Sequence, residues 1–188
     1  IDKDTLAVGA PYEDSNQTTI TNGTGATSDN SINNSGAVYV FKRSGSTWAQ
    51  EAYIKAVNND AQDYFGERSV SIDNGTLAVG VEREDSNQNT ITNGTSASSN
   101  NSNTASGAVY VYKRTGSSWA QEAYIKASNN DEQDYFGWQV SFNDNDTLVV
   151  GARQESSNQN TITNGDNSSS NNSSTESGAV YVYSFTGE

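Results

Sequence analysis

The chain repeats itself with a fixed period, and that period constrains its fold more than any local pattern does. "SGAVYVFKRSGSTWAQEAYIKA" at 35–56 returns as "SGAVYVYKRTGSSWAQEAYIKA" at 106–127 with three of 22 positions changed, and begins a third time as "SGAVYVYSF" at 177–185. Gly36, Gly107 and Gly178 are spaced by 71 residues, as are Gly9, Gly80 and Gly151, so no insertion or deletion separates the copies. A repeat of this length is one supersecondary unit that buries its apolar faces against its neighbours. The 188 residues hold about two and two-thirds units: 1–64 lacking a first strand, 65–135 complete, and 136–188 lacking a last strand.

Four segments of the middle unit read as strands bounded by turn residues: "RSVSI" (68–72), "TLAVGV" (76–81), "GAVYVYK" (107–113) and "EAYIKA" (122–127). Asp73-Asn74-Gly75 predicts a tight hairpin turn, because Asn and Gly tolerate positive φ. In "GAVYVYK" Ala108, Tyr110 and Tyr112 share one face and Val109 and Val111 the other, so both faces are apolar and both must be covered. In "EAYIKA" Ala123, Ile125 and Ala127 alternate with Glu122, Tyr124 and Lys126, which predicts an outer, half-exposed strand. The expected fold is all-β: tandem four-stranded antiparallel blades of propeller type, a radial repetition that protects sheet edges.

The hydrophobic fraction is only 32%, yet three polar inserts, 11–34, 82–105 and 153–176, contain 72 residues and eight of the apolar ones. Each insert carries "TITNG" (19–23, 90–94, 161–165), which predicts a small projecting hairpin, followed by a Ser/Asn/Thr tract of low complexity. Equal insert lengths argue against free disorder. N-x-S/T triplets, as at Asn22, Asn93 and Asn171, are expected by chance at this composition.

"DYFGERSVSIDNGTLAVGV", "DYFGWQVSFNDNDTLVVGA" and "TLAVGAP" resemble the FG-GAP repeat, the blade unit of integrin α-subunit propellers and of many bacterial surface proteins. Phe65-Gly66 and Phe136-Gly137 match the FG, and Gly9-Ala10-Pro11 matches the GAP, which becomes Gly80-Val81-Glu82 and Gly151-Ala152-Arg153 in the later copies. The resemblance implies an extracellular or cell-surface β-propeller used in adhesion or ligand binding. The family's calcium loop, D-x-D-x-D-G between the first two strands, is replaced here by Asp73-Asn74-Gly75 and by 143–146, turns too short to wrap a calcium ion. Other hard-oxygen clusters are calcium candidates: Asp14 and Asp85 at the insert starts, and Asp60 with Asp63 and Asp131 with Asp134 before each FG. The competing role for these carboxylates is in Asx turns.

A net charge of −13 disfavours nucleic acid and anionic lipid. No apolar run is long enough for membrane insertion. There is no cysteine for disulfides, and Ile1 opens directly on the repeat, so any signal peptide lies outside this sequence. Without histidine or cysteine, and with serines in polar tracts, no catalytic residue is assigned and the chain is read as a non-enzyme. Two functions compete: a structural or adhesive repeat that associates head to tail as a homo-oligomeric ring or filament, and a glycan- or protein-binding module excerpted from a longer surface protein. Trp48 and Trp119 serve either as stacking platforms or, preferentially, as packing against the next blade. Ten strands in three units fall short of four blades, which favours self-association.

Overall fold

The computed structural model describes residues 1–143 and 146–185. Twelve strands form among these residues: β1 (Thr5–Ala10), β2 (Thr21–Asn22), β3 (Ala37–Ser44), β4 (Thr47–Ile54), β5 (Ser69–Asp73), β6 (Thr76–Val81), β7 (Ile91–Asn93), β8 (Ala108–Thr115), β9 (Ser118–Ile125), β10 (Phe136–Asn143), β11 (Thr147–Ala152) and β12 (Ala179–Ser184). They make three antiparallel sheets with the orders β1-β3-β4-β2, β5-β6-β8-β9-β7 and β10-β11-β12. The expected turn at Asn74-Gly75 has φ of 44° and 77°, so both central residues are left-handed and β5 pairs directly back on β6. The shortened turn at 143–146 lies partly outside the described residues.

Two apolar cores lie between the sheets, because each sheet is apolar on both faces. The first joins Val38, Val40, Ala52 and Ile54 of the first blade to Phe65, Leu77, Val79, Tyr110, Tyr112 and Tyr124 of the second. The second repeats the scheme one unit on, with Val109, Val111 and Ile125 against Phe136, Val140, Leu148 and Val150. Each blade thus turns its valine face to the following blade and its tyrosine face to the preceding one. Phe65 and Phe136 are fully buried, and each ring packs edge-on against its own blade's tyrosines, Tyr110 at 5.4 Å and Tyr181 at 5.2 Å.

Three expectations are corrected. The first two "TITNG" segments do not project as hairpins: Thr21 and Asn22 pair with β4, and Ile91–Asn93 pairs with β9, so each of these two inserts adds a strand to the outer edge of its own blade. The blade is therefore five strands wide where complete, not four. Consequently "EAYIKA" is not half-exposed along its length. Glu122 is exposed, but Tyr124 and Lys126 are buried beneath the added strand and the insert.

Candidate functional site

A buried lysine at the end of an apolar strand has to be answered by charge, and the inserts supply it. Lys126 Nζ donates to Glu84 at 2.7 Å and to Ser106 Oγ at 2.8 Å. Glu84 also accepts the Ser86 amide at 3.1 Å and Asn58 Nδ2 at 3.1 Å from the preceding connector. Asn58 in turn accepts the Tyr110 hydroxyl at 2.6 Å. The first unit repeats the core of this arrangement, with Lys55 on Glu13 at 2.9 Å and on Ser35 at 2.7 Å. Burial pushes both lysines below the ordinary lysine range, against the opposing pull of the glutamates.

Serine beside lysine also has the chemistry of a nucleophile and its base. Ser35, Ser106 and the lysine side chains are sealed, however, with 0% exposure at both serines, so no substrate reaches them while the sheets are closed. Each serine hydroxyl is also committed to backbone carbonyls of its insert, as Ser106 is to Ser86 at 2.9 Å. The arrangement ties insert to blade. Sequence reasoning missed it, although the signal was there: Glu13, Ser35 and Lys55 recur in phase as Glu84, Ser106 and Lys126, with the lysine inside an apolar run.

The six calcium candidates fall into three structural roles. Asp14 and Asp85 accept the amides of Asn34 and Ala105, each at 2.6 Å, pinning the end of each insert to its start. Asp63 and Asp134 accept the amides of Asp60 and Asp131 at 3.3 and 3.0 Å. Asp60 and Asp131 accept insert amides from Asn101 and Asn172 at 3.0 and 2.8 Å. Among the described residues no group of three or more acidic side chains is arranged to hold a metal ion. Asp63 and Asp134 are nonetheless unusual. Burial, reinforced by Glu84, Asp60 and Asp85, raises the Asp63 carboxyl well above its ordinary range. Burial raises Asp134 to about 7.

The seams between blades depend on glycine. Gly36 and Gly107 form parallel bridges to Phe65 and Phe136, and a Cβ on Gly107 would lie 2.0 Å from the Phe136 carbonyl oxygen. At the third blade the same seat is open: the nearest atom to a Cβ on Gly178 is the Arg153 oxygen at 3.4 Å. Val180 and Val182 are 69% and 66% exposed, whereas Val109 and Val111 are fully buried. Beside this seat Trp138 is flanked by the guanidiniums of Arg68 at 4.2 Å and Arg153 at 4.3 Å. At the other end Trp48 is exposed, while Trp119 is buried against the preceding blade rather than the next, its indole N–H donating to Glu51 at 3.1 Å.

The profile of the FG-GAP repeat matches residues 48–112 and 119–183, together more than half of the chain. The chain belongs to the FG-GAP repeat family. Each matched stretch runs from the fourth strand of one blade through an FG turn to the third strand of the next, so the FG-GAP unit straddles the seam that its glycines close. FG-GAP repeats form β-propeller-like modules typical of extracellular or surface proteins, and are generally structural or binding units rather than catalysts. No curated protein matches the chain. No helix is long and apolar enough to cross a membrane among the described residues.

Proposed function

We propose that this FG-GAP array is a non-catalytic adhesive or structural module of the cell exterior, whose copies associate head to tail into a ring or filament. One observation carries the reading. The pair of faces that bury each other twice within the chain, valine face on tyrosine face, is left uncovered once at each end among the described residues, more fully on the valine side. Val180 and Val182 are exposed on the third blade, and on the tyrosine face of the first Val8 is 42% exposed and Tyr39 and Phe41 are half-buried. Valine and tyrosine faces of this kind mate at Val38–Val40 against Tyr110–Tyr112, so a second copy offers a surface of the same character. Contacts of this heterologous type close into rings or continue as filaments. A charge of −13 keeps such assemblies dispersed and away from nucleic acid.

Sedimentation velocity over a concentration series, with negative-stain microscopy, tests the proposal. Higher-order species that vanish in Val180→Glu/Val182→Lys are expected, and a wild-type chain that stays monomeric at micromolar concentration overturns it. A second reading, a glycan-binding module, has its own observation: Trp138 between two arginines beside an open seat is a stacking platform with positive charge, suited to an acidic sugar. Binding to acidic glycans on an array, lost in Trp138→Ala, would favour that reading over assembly.

A further inference from the structure

At the outer rim of the seam between the first and second blades lies a polar groove of about 370 Å³, within the range of about 300–1,000 Å³ that small-ligand clefts occupy. One wall is the insert strand with Asn22 and Gly23 and the outer strand β4 with Gln50 and Glu51; the other is the tip of the β8–β9 hairpin with Ser117 and Ser118. Lys42 of β3 completes the lining. Both walls are internal to the array.

The sequence builds this groove through a bulge. Val40 stands opposite Ala52 but Phe41 opposite Gln50, so Glu51 is the extra residue of β4, and a bulge re-aims its side chain. Glu51 crosses the seam and accepts Arg114 Nε at 2.8 Å and the Trp119 indole N–H at 3.1 Å. Asn22 crosses beside it, accepting the Trp119 amide at 2.8 Å and donating to the Trp119 carbonyl at 3.4 Å. The Gly23 amide donates to the Glu51 carbonyl at 2.6 Å. These ties fix the two walls at one separation, so the groove is formed before any ligand arrives.

Its charge is unlike that of the rest of the chain. Glu51 is buried and already answered by Arg114, which leaves Lys42 as the surplus charge. Lys42 is half-buried, its Nζ donates to Thr5 Oγ1 at 3.2 Å, and among the described residues it has no ion pair. An ammonium has more donors than this one contact uses. Around it stand further polar groups. Ser117 and Ser118 are exposed, and among the described residues their hydroxyls make no hydrogen bond. Gln50 spends its Nε2 on the Gly23 and Gly25 carbonyls at 3.1 and 2.9 Å, which leaves its Oε1 as an acceptor.

We infer that this groove binds a terminal acidic sugar of a glycan, its carboxylate on Lys42 and its ring hydroxyls on Ser117, Ser118 and Gln50. The inference rests on the glycan-binding reading of the module, at a place separate from Trp138. A neutral ligand would leave the half-desolvated ammonium unanswered, and a cation would meet like charge. A long polyanion would be repelled by the chain's charge of −13, whereas a terminal sugar brings a single carboxylate to the one place that is locally positive.

The test is a titration of the 188-residue protein, followed by amide chemical shifts, with methyl glucuronide, methyl glucoside and acetate in parallel. Saturable binding of the glucuronide is expected, with shifts centred on 22–23, 50–51 and 117–118. The glucoside, lacking the charge, and acetate, lacking the ring, are each expected to bind about tenfold more weakly or worse, the value of one charge-assisted hydrogen bond. Lys42→Met is expected to bring the glucuronide down to the level of the glucoside and to leave the glucoside unchanged. Arg43→Gln, which removes an exposed cation paired with Asp4, is expected to alter neither. The three ligands compared on the unaltered protein keep the test decisive if Lys42→Met folds poorly. No saturable glucuronide binding, equal affinity for glucoside or acetate, or an equal loss in Arg43→Gln overturns the site. Binding of acidic glycans that survives Lys42→Met and is lost in Trp138→Ala overturns this groove and keeps the glycan-binding reading; no binding of any acidic glycan overturns both.

Discussion

Gly80 and Gly151 stand at the same place in consecutive copies, in "TLAVGV" and "TLVVGA", and neither has a left-handed φ, so alanine suits the backbone at both. Their surroundings differ in one respect: among the described residues a following blade covers Gly80 and none covers Gly151. A methyl at position 80 would sit 2.1 Å from the Gly137 carbonyl oxygen and 3.3 Å from Val140 Cγ1, while at 151 the nearest atom is 3.9 Å away on Gln139. Relief at 80 requires the FG turn of the third blade to move by about 1 Å, against a backbone itself pinned beneath Ala108. Overpacking of this kind costs about 1–3 kcal/mol, and more where backbone is the obstacle. Alanine recovers about 0.5–1 kcal/mol of strand propensity at either site. Gly80→Ala is therefore expected to lose about 2–3 kcal/mol net, and Gly151→Ala to gain up to about 1 kcal/mol. For a chain of this size 1 kcal/mol moves Tm by about 2–4 °C, so the two variants should melt on the order of 10 °C apart. Differential scanning calorimetry at a concentration where sedimentation shows monomer measures it. Equal melting temperatures would mean that the second and third blades do not meet at these glycines. Repeated at a concentration where copies associate, the comparison should change sign at 151, because the methyl then fills the seat that a partner needs.

Three further outcomes follow from the seams. Lys126→Met alone should destabilise by about 3–5 kcal/mol in urea unfolding, by stranding the buried Glu84, and Lys126→Met/Glu84→Leu should recover much of that loss. Asp134 has a folded-state carboxyl raised to about 7 from an ordinary 3.8, so the folded protein holds the proton more tightly and stability contributed here falls as pH rises from about 4 to 7. Asp134→Asn should therefore raise Tm at pH 8, change it little at pH 4, and flatten the profile between; an unchanged profile would place this carboxylate in solvent. Because the six candidate aspartates are engaged as acceptors within loops, millimolar calcium is expected to leave Tm unchanged, and a rise abolished by Asp63→Asn would reverse that assignment.

The strands were readable where composition alone defined them. "TLAVG" and "GAVYV" are apolar on both faces, and a strand covered on both sides has no other sequence signature. Their lengths were less so, since β8 and β9 continue through Arg114-Thr115 and Ser118-Trp119 to a two-residue loop that polar residues disguise. The outer edge was misread for a physical reason. Asn-Gly is a local hairpin signal, yet Thr92 finds its partner in Tyr124, 32 residues on, because the edge of β9 is a better acceptor than the insert's own polar tract. That pairing in turn buries Lys126, whose period-two placement beside Glu122 had suggested solvent. The seam cluster of Glu, Ser and Lys was visible as a recurrence, but only the fold shows that residues 20 and 42 apart converge on one point.

The stapling of the inserts to the connectors before and after them bears on how such a chain can grow and change. Asn58 reaches the Ser98 carbonyl at 2.7 Å and Asn129 reaches that of Ser169 at 2.9 Å, while Gln62 and Gln133 donate their amides to Asn33 and Thr104, each at 2.9 Å. Every one of these ties counts residues across a fixed length of chain. Substitution among the exposed Ser, Asn and Thr positions leaves the count intact, and the tracts 95–104 and 166–175 do differ in composition. Loss or gain of a single residue there would instead drag Asp85, Ala105 and Ser106 out of phase with Tyr135 and Phe136 of the next unit. Duplication of a whole unit, by contrast, copies each joint together with both of its sides, so the gene for such a protein can lengthen in steps of 71 codons without any new contact having to be invented.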